Sequence, residues 1–269
     1  MTRERKSLLV RAATAAVGLP VVAALVFWRA PHGFIALCLL AAVLGLVEFT
    51  GLSMAGRPRA ERAAVVLIGA GLFLGLSLRP GLALAWIFAS VLALGLALLP
   101  RAREPREAWL RLASAGFGVF YVGALLAALP LLHVLVAPSW AALAIALSFA
   151  NDTGAYFAGR AFGKHKLAPA ISPSKTVEGA LGGLLAGLAV VAAWRVWLLP
   201  ELTLRDCLLV GVPSAIVGPA GDLVESLLKR SAGAKDSGRL VPGHGGILDR
   251  IDALLFVGAY VCLYATQLR

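Results

Sequence analysis

The chain has 269 residues, of which 60% are hydrophobic, and its mean hydropathy of +0.87 excludes an ordinary soluble domain. Its net charge of +11 is not accompanied by an aromatic and basic module, which argues against a nucleic-acid-binding protein. The three cysteines, Cys38, Cys207 and Cys262, include no CxxC pair, so neither a disulfide nor a thiolate metal site is indicated.

Apolar runs of about 20 residues, the length that crosses a bilayer, recur along the chain. We predict nine membrane-spanning helices, at residues 8–28, 33–53, 63–79, 81–99, 109–130, 139–158, 177–199, 207–228 and 253–268. The first is expected to be an uncleaved span, because no clear small-residue cleavage site follows it. Small residues over 182–187 predict close packing of the seventh span. The predicted fold class is an all-α, polytopic integral membrane protein with about nine transmembrane helices.

We expect residues 1–269 to form a single membrane-embedded domain. Residues 1–138 make up its apolar, multi-span part, and residues 139–269 carry nearly all of the polar motifs. A cytoplasmic N-terminus places 20 of the 25 Lys and Arg residues on the inner side of the membrane, as the positive-inside rule requires. The polar motifs are therefore predicted to face the cytoplasm.

The first five predicted spans carry little chemistry. Glu48 lies near the predicted cytoplasmic end of the second span, where a carboxylate costs less than at the bilayer centre. A structural or interfacial role is the favoured interpretation of this residue.

A first polar cluster occupies residues 151–179. Asp152 ends an apolar span, and an ionisable residue in that position is a candidate functional group. Ser172 or Ser174 is predicted to cap the next helix, with Glu178 in its first turn. A helix N-terminus that opens toward the cytoplasm suits a phosphate. A capping box with positive-inside lysines explains the same residues equally well.

A second polar cluster occupies residues 221–252, where we predict a helix, a glycine-rich loop and the start of another helix. Asp222, Glu225 and Lys229 share one stripe of the first helix, opposite an apolar face. Five glycines lie in the loop, and glycine lets backbone N–H groups approach a ligand closely. The density of polar groups indicates a functional site.

Carboxylates on these two successive helices suit a magnesium site. Asp249 and Asp252 lie three residues apart on the second helix, on one face, and are expected to converge with Asp222 of the first. Mg²⁺ prefers oxygen ligands of this kind, completed by substrate phosphates. The alternative is a solvated loop with ion pairs on the helix surfaces. The paired aspartates and the glycine density favour the site.

Both clusters resemble a known family. The second cluster contains Ser226-x-x-Lys229-Arg230, Lys235-Asp236-Ser237-Gly238 and Pro242-Gly243-His244-Gly245-Gly246-x-x-Asp249-Arg250-x-Asp252. The first contains Asp152-Thr153-Gly154-Ala155-Tyr156, Gly163-Lys164-x-Lys166-Leu167 and Ser172-Pro173-x-Lys175-Thr176-x-Glu178-Gly179. Residues 148–255 thereby resemble the phosphatidate cytidylyltransferase (CDP-diacylglycerol synthase) family. Val241 departs slightly from the family pattern, and Ser174 stands at a position that varies.

The resemblance implies a reaction in which CTP and phosphatidate give CDP-diacylglycerol and pyrophosphate, with Mg²⁺ as cofactor and a second cation as an open question. It also implies the bacterial inner membrane as location and a homodimer as a plausible state, with the bilayer and the two substrates as partners and no nucleic acid. The residues fit this chemistry independently, because two polyanions must meet and their repulsion must be cancelled.

Candidate roles follow from the residue types and the resemblance. The expected metal ligands are Asp222 and Asp249, with Glu225 and Asp252 as secondary ligands. The other catalytic candidates are the phosphate binders Lys229, Arg230, Lys235 and Arg250, the orienting group Asp236, and His244, which contacts a phosphate, orients an aspartate or structures the loop. The substrate-binding candidates are Asp152, Lys166, Ser172, Ser174, Lys175, Thr176 and Glu178.

Two alternative functions stay open at this point. One is another CTP-using lipid enzyme, such as a CDP-archaeol synthase or a polyprenol kinase-like protein, which would share the metal and the nucleotide but not the lipid. The other is an ion-coupled transporter. Transporters often have inverted repeats with broken helices in both halves. Here the ionisable residues crowd into the C-terminal half, which disfavours that class.

Overall fold

Helices form most of the structure, a computed structural model that describes residues 16, 18–28, 30–101, 104–238 and 245–269. They are α1 (Gly18–Phe27), α2 (His32–Ser53), α3 (Arg59–Leu78), α4 (Ala83–Leu98), α5 (Pro105–Gly118), α6 (Leu125–Leu131), α7 (Pro138–Phe162), α8 (Val177–Trp197), α9 (Leu204–Ser231) and α10 (Leu248–Leu263). Short π-helical segments continue three of these helices, at Val119–Ala124, Leu132–Val136 and Tyr264–Leu268.

Within the described residues, seven helical segments are long and apolar enough to cross a membrane. They are His32–Ser53, Arg59–Leu78, Pro80–Leu98, Pro105–Val136, Val177–Trp197, Leu204–Ser231 and Leu248–Leu268. This confirms the all-α, polytopic class. Two further predicted spans correspond to α1, which is shorter, and to α7, which carries Asn151 and Asp152 within its length. The count of nine therefore stays a prediction.

One feature of the fold was not predicted from the sequence, a two-stranded antiparallel hairpin between α7 and α8. Strand β1 (Lys166–Ala168) pairs with β2 (Ser172–Thr176). Pro173 lies within β2, and an edge strand tolerates a residue without an N–H group because one side of the strand has no partner. The hairpin is too short and too polar to show a hydrophobic alternation.

The chain forms two units. The first comprises the described part of Met1–Leu131 and of Ala232–Arg250, and the second comprises Leu132–Ser231 and Ile251–Arg269. The first unit therefore contains α1 to α6 together with the described part of the loop after α9, and the second contains α7, the hairpin, α8, α9 and most of α10. The single domain expected from the sequence stays a prediction.

A buried ion pair fixes three helices of the first unit. Arg111 of α5 donates from Nη1 to both carboxylate oxygens of Glu61 in α3 at 3.3 Å, and from Nη2 to the carbonyl of Leu98 at the end of α4 at 2.9 Å. Both charged side chains are buried. Because a buried ion pair persists only when its groups are also hydrogen-bonded, the third contact is part of what makes this pair stable.

In the second unit, α7 and α8 pack closely because both carry small residues. A Cβ atom on Gly182 would lie 2.2 Å from the Cβ atom of Ala158, and one on Gly154 would lie 2.6 Å from that of Ala186. Close backbone approach through small residues is a common way for membrane helices to associate. The close packing predicted for residues 182–187 is confirmed.

A proline inside α9 ties this helix to α10. Pro213 has no N–H group, so the carbonyl of Leu209 loses its donor within the helix. The hydroxyl of Tyr260 donates to that carbonyl instead. An unbonded backbone group is costly in a bilayer, so this contact compensates for the proline.

Candidate active site

A cavity of about 500 Å³ lies in the second unit, between α7, the hairpin, α8 and α9. Five of the predicted substrate-binding residues line it, and so does one predicted metal ligand: Asp152, Ser172, Ser174, Lys175, Thr176 and Asp222. The two polar clusters of the sequence therefore both contribute to one cavity. The other two predicted substrate-binding residues, Lys166 and Glu178, are not among its lining residues.

Lys175 connects the hairpin to α9. Its Nζ atom lies 2.7 Å from Oδ2 of Asp222 and donates a hydrogen bond to the carbonyl of Pro219 at 3.2 Å. The side chain is 19% exposed and lines the cavity. A partly exposed ammonium of this kind is available to an anionic ligand.

The N-terminus of α8 is capped by a residue other than those predicted. The hydroxyl of Thr176 accepts the N–H of Gly179 at 3.1 Å, so Thr176 is the N-cap, and the expectation of Ser172 or Ser174 was wrong. Those two serines belong to β2, whose backbone is already paired with β1. Position 176 is the last residue of the strand, where the chain turns from extended to helical.

Glu178 lies in the first turn of α8, as predicted, and holds the loop that precedes the hairpin. Its carboxylate accepts the N–H of Lys164 at 3.0 Å and that of His165 at 3.2 Å, and it lies 2.6 Å from Nδ1 of His165. Lys166 follows on β1 and is exposed. Glu178 is thereby engaged by backbone donors, which gives it a structural contact in addition to its predicted role.

Two polar side chains of the cavity were not predicted as binding residues, those of Tyr156 and Arg160. Both line the cavity, and Nη1 of Arg160 donates to the Tyr156 hydroxyl at 3.0 Å. From the sequence, Arg160 is only one of the 20 Lys and Arg residues that are expected on the inner side of the membrane. The four-residue spacing on α7 places both side chains on one face of the helix, and this spacing is the sequence feature that identifies the pair.

Three carboxylates meet beside α9 and α10. One ligand oxygen from each of Asp222, Glu225 and Asp252 lies within 4.8 Å of the other two, and no other such group of three occurs in the part of the chain that the structure describes. Gly221 makes the approach possible, since a Cβ atom there would lie 2.5 Å from the carbonyl oxygen of Asp252. Three carboxylates with converging oxygens are the donor set that Mg²⁺ prefers, so these residues fit such an ion.

Neighbouring side chains partly balance this charge. Lys229 forms an ion pair with Glu225, which is completely buried, and Ser226 donates from its hydroxyl to Oδ1 of Asp222 at 3.2 Å. These contacts confirm that Asp222, Glu225 and Lys229 share one stripe of the helix. With the ammonium of Lys175 included, three carboxylates face two lysines.

Asp249 belongs to the first unit and has its own set of donors. Its Oδ2 atom accepts the N–H of Ser237 at 3.0 Å and the N–H of Gly246 at 2.8 Å, and it lies 3.0 Å from the hydroxyl oxygen of Ser237. Gly245, beside it, has a φ of +80°, which favours glycine. The carboxylate therefore has a fixed orientation at the start of α10.

The other predicted catalytic residues differ in exposure. Lys229 is half-buried, whereas four others are exposed: Arg230, Lys235, Asp236 and Arg250. His244 lies outside the described residues. Exposed cations carry no desolvation cost of the kind that a buried charge does.

The sequence of this chain is similar to those of known proteins. Residues 9–268 match the sequence model of the Cytidylyltransferase family. The chain belongs to this family. The predicted family resemblance is confirmed, and the match extends well beyond residues 148–255, in which the motifs were recognised.

Three relatives show the level of similarity within the cytidylyltransferase family. Proteins named phosphatidate cytidylyltransferase from Staphylococcus haemolyticus (strain JCSC1435) and Staphylococcus saprophyticus subsp. saprophyticus are 53% and 51% identical to this chain over 107 residues. The protein of that name from Staphylococcus aureus (strain COL) is 50% identical over 109 residues. Each alignment covers 40% of this chain, and the chain spans only 41% of the length of each relative.

In this cytidylyltransferase-family chain, part of the second polar cluster lies in the same unit as helices of the apolar half. The described part of Ala232–Arg250, which contains the motif Lys235-Asp236-Ser237-Gly238 and part of the motif that ends at Asp252, belongs to the same unit as α2 to α6. The early helices therefore form part of the structure that carries these motifs.

Proposed function

We propose that this member of the cytidylyltransferase family transfers the cytidylyl group of CTP to phosphatidate. A phosphate oxygen of phosphatidate forms a bond to the α-phosphorus of CTP, the bond from that phosphorus to the bridging oxygen of the β-phosphate breaks, and the products are CDP-diacylglycerol and pyrophosphate. The attacking oxygen is already anionic, so the reaction needs no serine or cysteine nucleophile. It needs cations that cancel the repulsion between two polyanions.

The observation that carries this proposal is the contact of Lys175 with Asp222 at the wall of the cavity. The contact supports the proposal because a partly exposed ammonium group lies beside a cluster of carboxylates, and the cavity has the volume of a typical small-molecule site. In the proposed reaction Lys175 binds a substrate phosphate, while Ser172, Ser174 and Arg160 offer further donors around the same space.

Mg²⁺ is the proposed cofactor. Asp222, Glu225 and Asp252 would hold it, and Asp249 is retained as a further metal ligand. The bound ion would neutralise phosphate charge and orient the reacting oxygens. Around it, the four predicted phosphate binders Lys229, Arg230, Lys235 and Arg250 would attract and hold the triphosphate. Whether a second cation takes part stays an open part of the proposal.

The proposed topology has nine spans, a cytoplasmic N-terminus and an active site that faces the cytoplasm, where CTP is available. The distribution of Lys and Arg supports it, because 20 of the 25 then lie on the inner side. Cysteine accessibility tests the orientation. A cysteine in place of Lys235 should not react with a membrane-impermeant maleimide in intact cells. It should react once the membrane is permeabilised and the reagent reaches the cytoplasmic face.

Labelled CTP tests the reaction. The purified protein is incubated with Mg²⁺, mixed micelles of phosphatidate, and CTP that carries the label at either the α- or the γ-phosphate. The proposal requires α-label in the lipid, none from the γ-position, and loss of the product when the Mg²⁺ is chelated. Transfer of γ-label would indicate a polyprenol kinase-like enzyme. A strong preference for an archaeal ether lipid phosphate would indicate a CDP-archaeol synthase.

A further inference from the structure

Glu48 of α2 binds Ser237, within the loop between α9 and α10, and the residues at the start of α10. The residue is 6% exposed. Its Oε2 atom accepts the Ser237 hydroxyl at 2.9 Å and the N–H of Leu248 at 2.9 Å, and its Oε1 atom accepts the N–H of Ile247 at 3.0 Å. A buried carboxylate is tolerated when several donors surround it, and here three donors converge.

These contacts complete the N-terminus of α10. The first N–H groups of a helix have no acceptor within the helix, and an acidic group near them is also favoured by the helix dipole. Glu48 accepts two of them. The next, from Asp249, points to the hydroxyl oxygen of Ser237 at 3.3 Å, and the N–H of Gly246 is bonded to Asp249 itself. Glu48 and Ser237 thus act together as the cap of this helix.

Ser237 connects Glu48 to Asp249. Its hydroxyl oxygen lies 2.9 Å from Oε2 of Glu48 and 3.0 Å from Oδ2 of Asp249. The backbone N–H of Ser237 also donates to the same oxygen of Asp249. The position of Glu48 therefore determines the position of Ser237, and Ser237 in turn orients the carboxylate of Asp249.

Two glycines show how closely the loop surrounds this carboxylate. A Cβ atom on Gly238 would lie 2.4 Å from Oε1 of Glu48, and one on Gly246 would lie 2.3 Å from Oε2. A side chain at either position would force the Glu48 carboxylate or the loop to shift. Glycine at both positions is explained by the presence of Glu48 between them.

We propose that Glu48 is a positioning residue, which holds Ser237 and the first turn of α10 so that Asp249 presents its carboxylate in the orientation needed for a cation and its phosphates. The proposal rests on the proposed function. It assigns to α2, in the apolar half of the chain, a role in the reaction that the sequence did not indicate beyond a structural or interfacial one.

The test compares Glu48→Gln with Glu61→Gln. Glutamine at position 48 keeps the size of the side chain but directs an NH₂ group at N–H donors. Glu61 is the matched control, because it is a buried carboxylate of the same unit whose partner is Arg111 and not the loop. The measurements are kcat, the Mg²⁺ concentration that gives half-maximal rate, Mn²⁺ binding without substrate, and hydrogen–deuterium exchange of amides 246–250.

We expect Glu48→Gln to lose roughly 10- to 100-fold in kcat or in apparent metal affinity, as is typical when the partner of a ligand is removed. Exchange of amides 246–250 should accelerate, and Mn²⁺ binding should weaken. Glu61→Gln should change the melting temperature but leave both the Mg²⁺ dependence and the exchange of these amides at the wild-type level.

Wild-type values of kcat, Mn²⁺ binding and amide exchange in Glu48→Gln would overturn the proposal. So would a Glu61→Gln variant with the same loss of metal affinity, since the effect would then follow from stability alone. If the wild-type protein shows no cytidylyl transfer, the proposed function fails, and Mn²⁺ binding with amide exchange still decides the role of Glu48. If Glu48→Gln does not accumulate in the membrane, Ser237→Ala is measured in the same way and with the same criteria.

Discussion

The ammonium group of Lys175 lies 2.7 Å from Oδ2 of Asp222, so a residue of the hairpin and a residue of α9 meet at the wall of the cavity. A partly exposed ion pair contributes little to stability, about 0–1 kcal/mol. The pair is therefore better explained by its position than by the energy that it supplies. In the proposed reaction, a substrate phosphate would be a second anionic partner of the ammonium, beside the carboxylate cluster.

Replacing Lys175 by alanine should raise the KM for one of the two substrates. A hydrogen bond to a charged group contributes about 1.5–3 kcal/mol, so the expected increase is roughly 10- to 100-fold. Initial rates at varied CTP and varied phosphatidate identify which substrate it binds. Lys164→Ala is the control, because that side chain is exposed and absent from the cavity wall. Unchanged kinetics in Lys175→Ala would remove the residue from the binding site.

Replacing Asp222 or Asp252 by asparagine should abolish turnover while the protein still inserts and folds. The substitution keeps the shape of the side chain but removes one negative charge from the three-carboxylate cluster, and metal affinity depends on that charge. We expect at least a roughly 100-fold loss of rate that excess Mg²⁺ restores only in part. Asp249→Asn, measured in the same assay, tests whether Asp249 is also a metal ligand.

Glu107→Gln provides the control for these charge changes. Glu107 is 62% exposed and pairs with Arg57 on the surface, so the substitution should leave the rate unchanged. A variant at position 222 or 252 with near-normal activity would show that its carboxylate holds no metal.

The contact between α7 and α8 should be sensitive to a single methyl group. Gly182→Ala would place a Cβ atom 2.2 Å from that of Ala158, and overpacking of this kind typically costs about 1–3 kcal/mol. The melting temperature in detergent should fall. Gly71→Ala is the matched control, because nothing lies within 4 Å of the added atom and alanine is favoured in a helix. Equal melting temperatures for the two variants would contradict the close packing.

Replacing only one partner of the ion pair between Arg111 and Glu61 should cost more stability than replacing both. Arg111→Met leaves a buried carboxylate without its cation and should destabilise the protein by about 3–5 kcal/mol. The double variant Arg111→Met with Glu61→Met should recover much of this loss, because apolar residues of similar size often replace a buried pair without cost. Thermal unfolding of the single and double variants measures the difference. A double variant that is no more stable than the single one would count against the interpretation.

Helix positions were predictable from the sequence because a bilayer imposes a strong constraint on hydropathy and length. α2 begins within one residue of its predicted span and ends at the same residue, Ser53. The hairpin between α7 and α8 escaped prediction because its strands are short and polar. The cap at Thr176 was missed because three adjacent residues can all accept a backbone N–H, and only the geometry of the chain decides among them.

The sequence predicts which residue types the candidate site contains, but it predicts less well which of these residues contact one another. Asp222, Glu225 and Lys229 were correctly placed on one helical stripe, since that follows from spacing alone. The contact of Lys175 with Asp222 and the donors around Asp249 depend on how distant segments fold. Nothing in the local sequence around Glu48 indicates its partners, which lie almost two hundred residues later in the chain.

That distance has a consequence for biosynthesis. Ser237 follows Glu48 by 189 residues, and the donors Ile247 and Leu248 follow by about ten more. At translation rates of 5–20 residues per second, α2 leaves the ribosome roughly 10 to 40 s before its partners exist. During that interval the nascent helix carries an acidic group with none of its final donors, while α7, α8 and α9 are still being made. Completion of the N-terminal half thus has to wait for nearly the last segment of the chain.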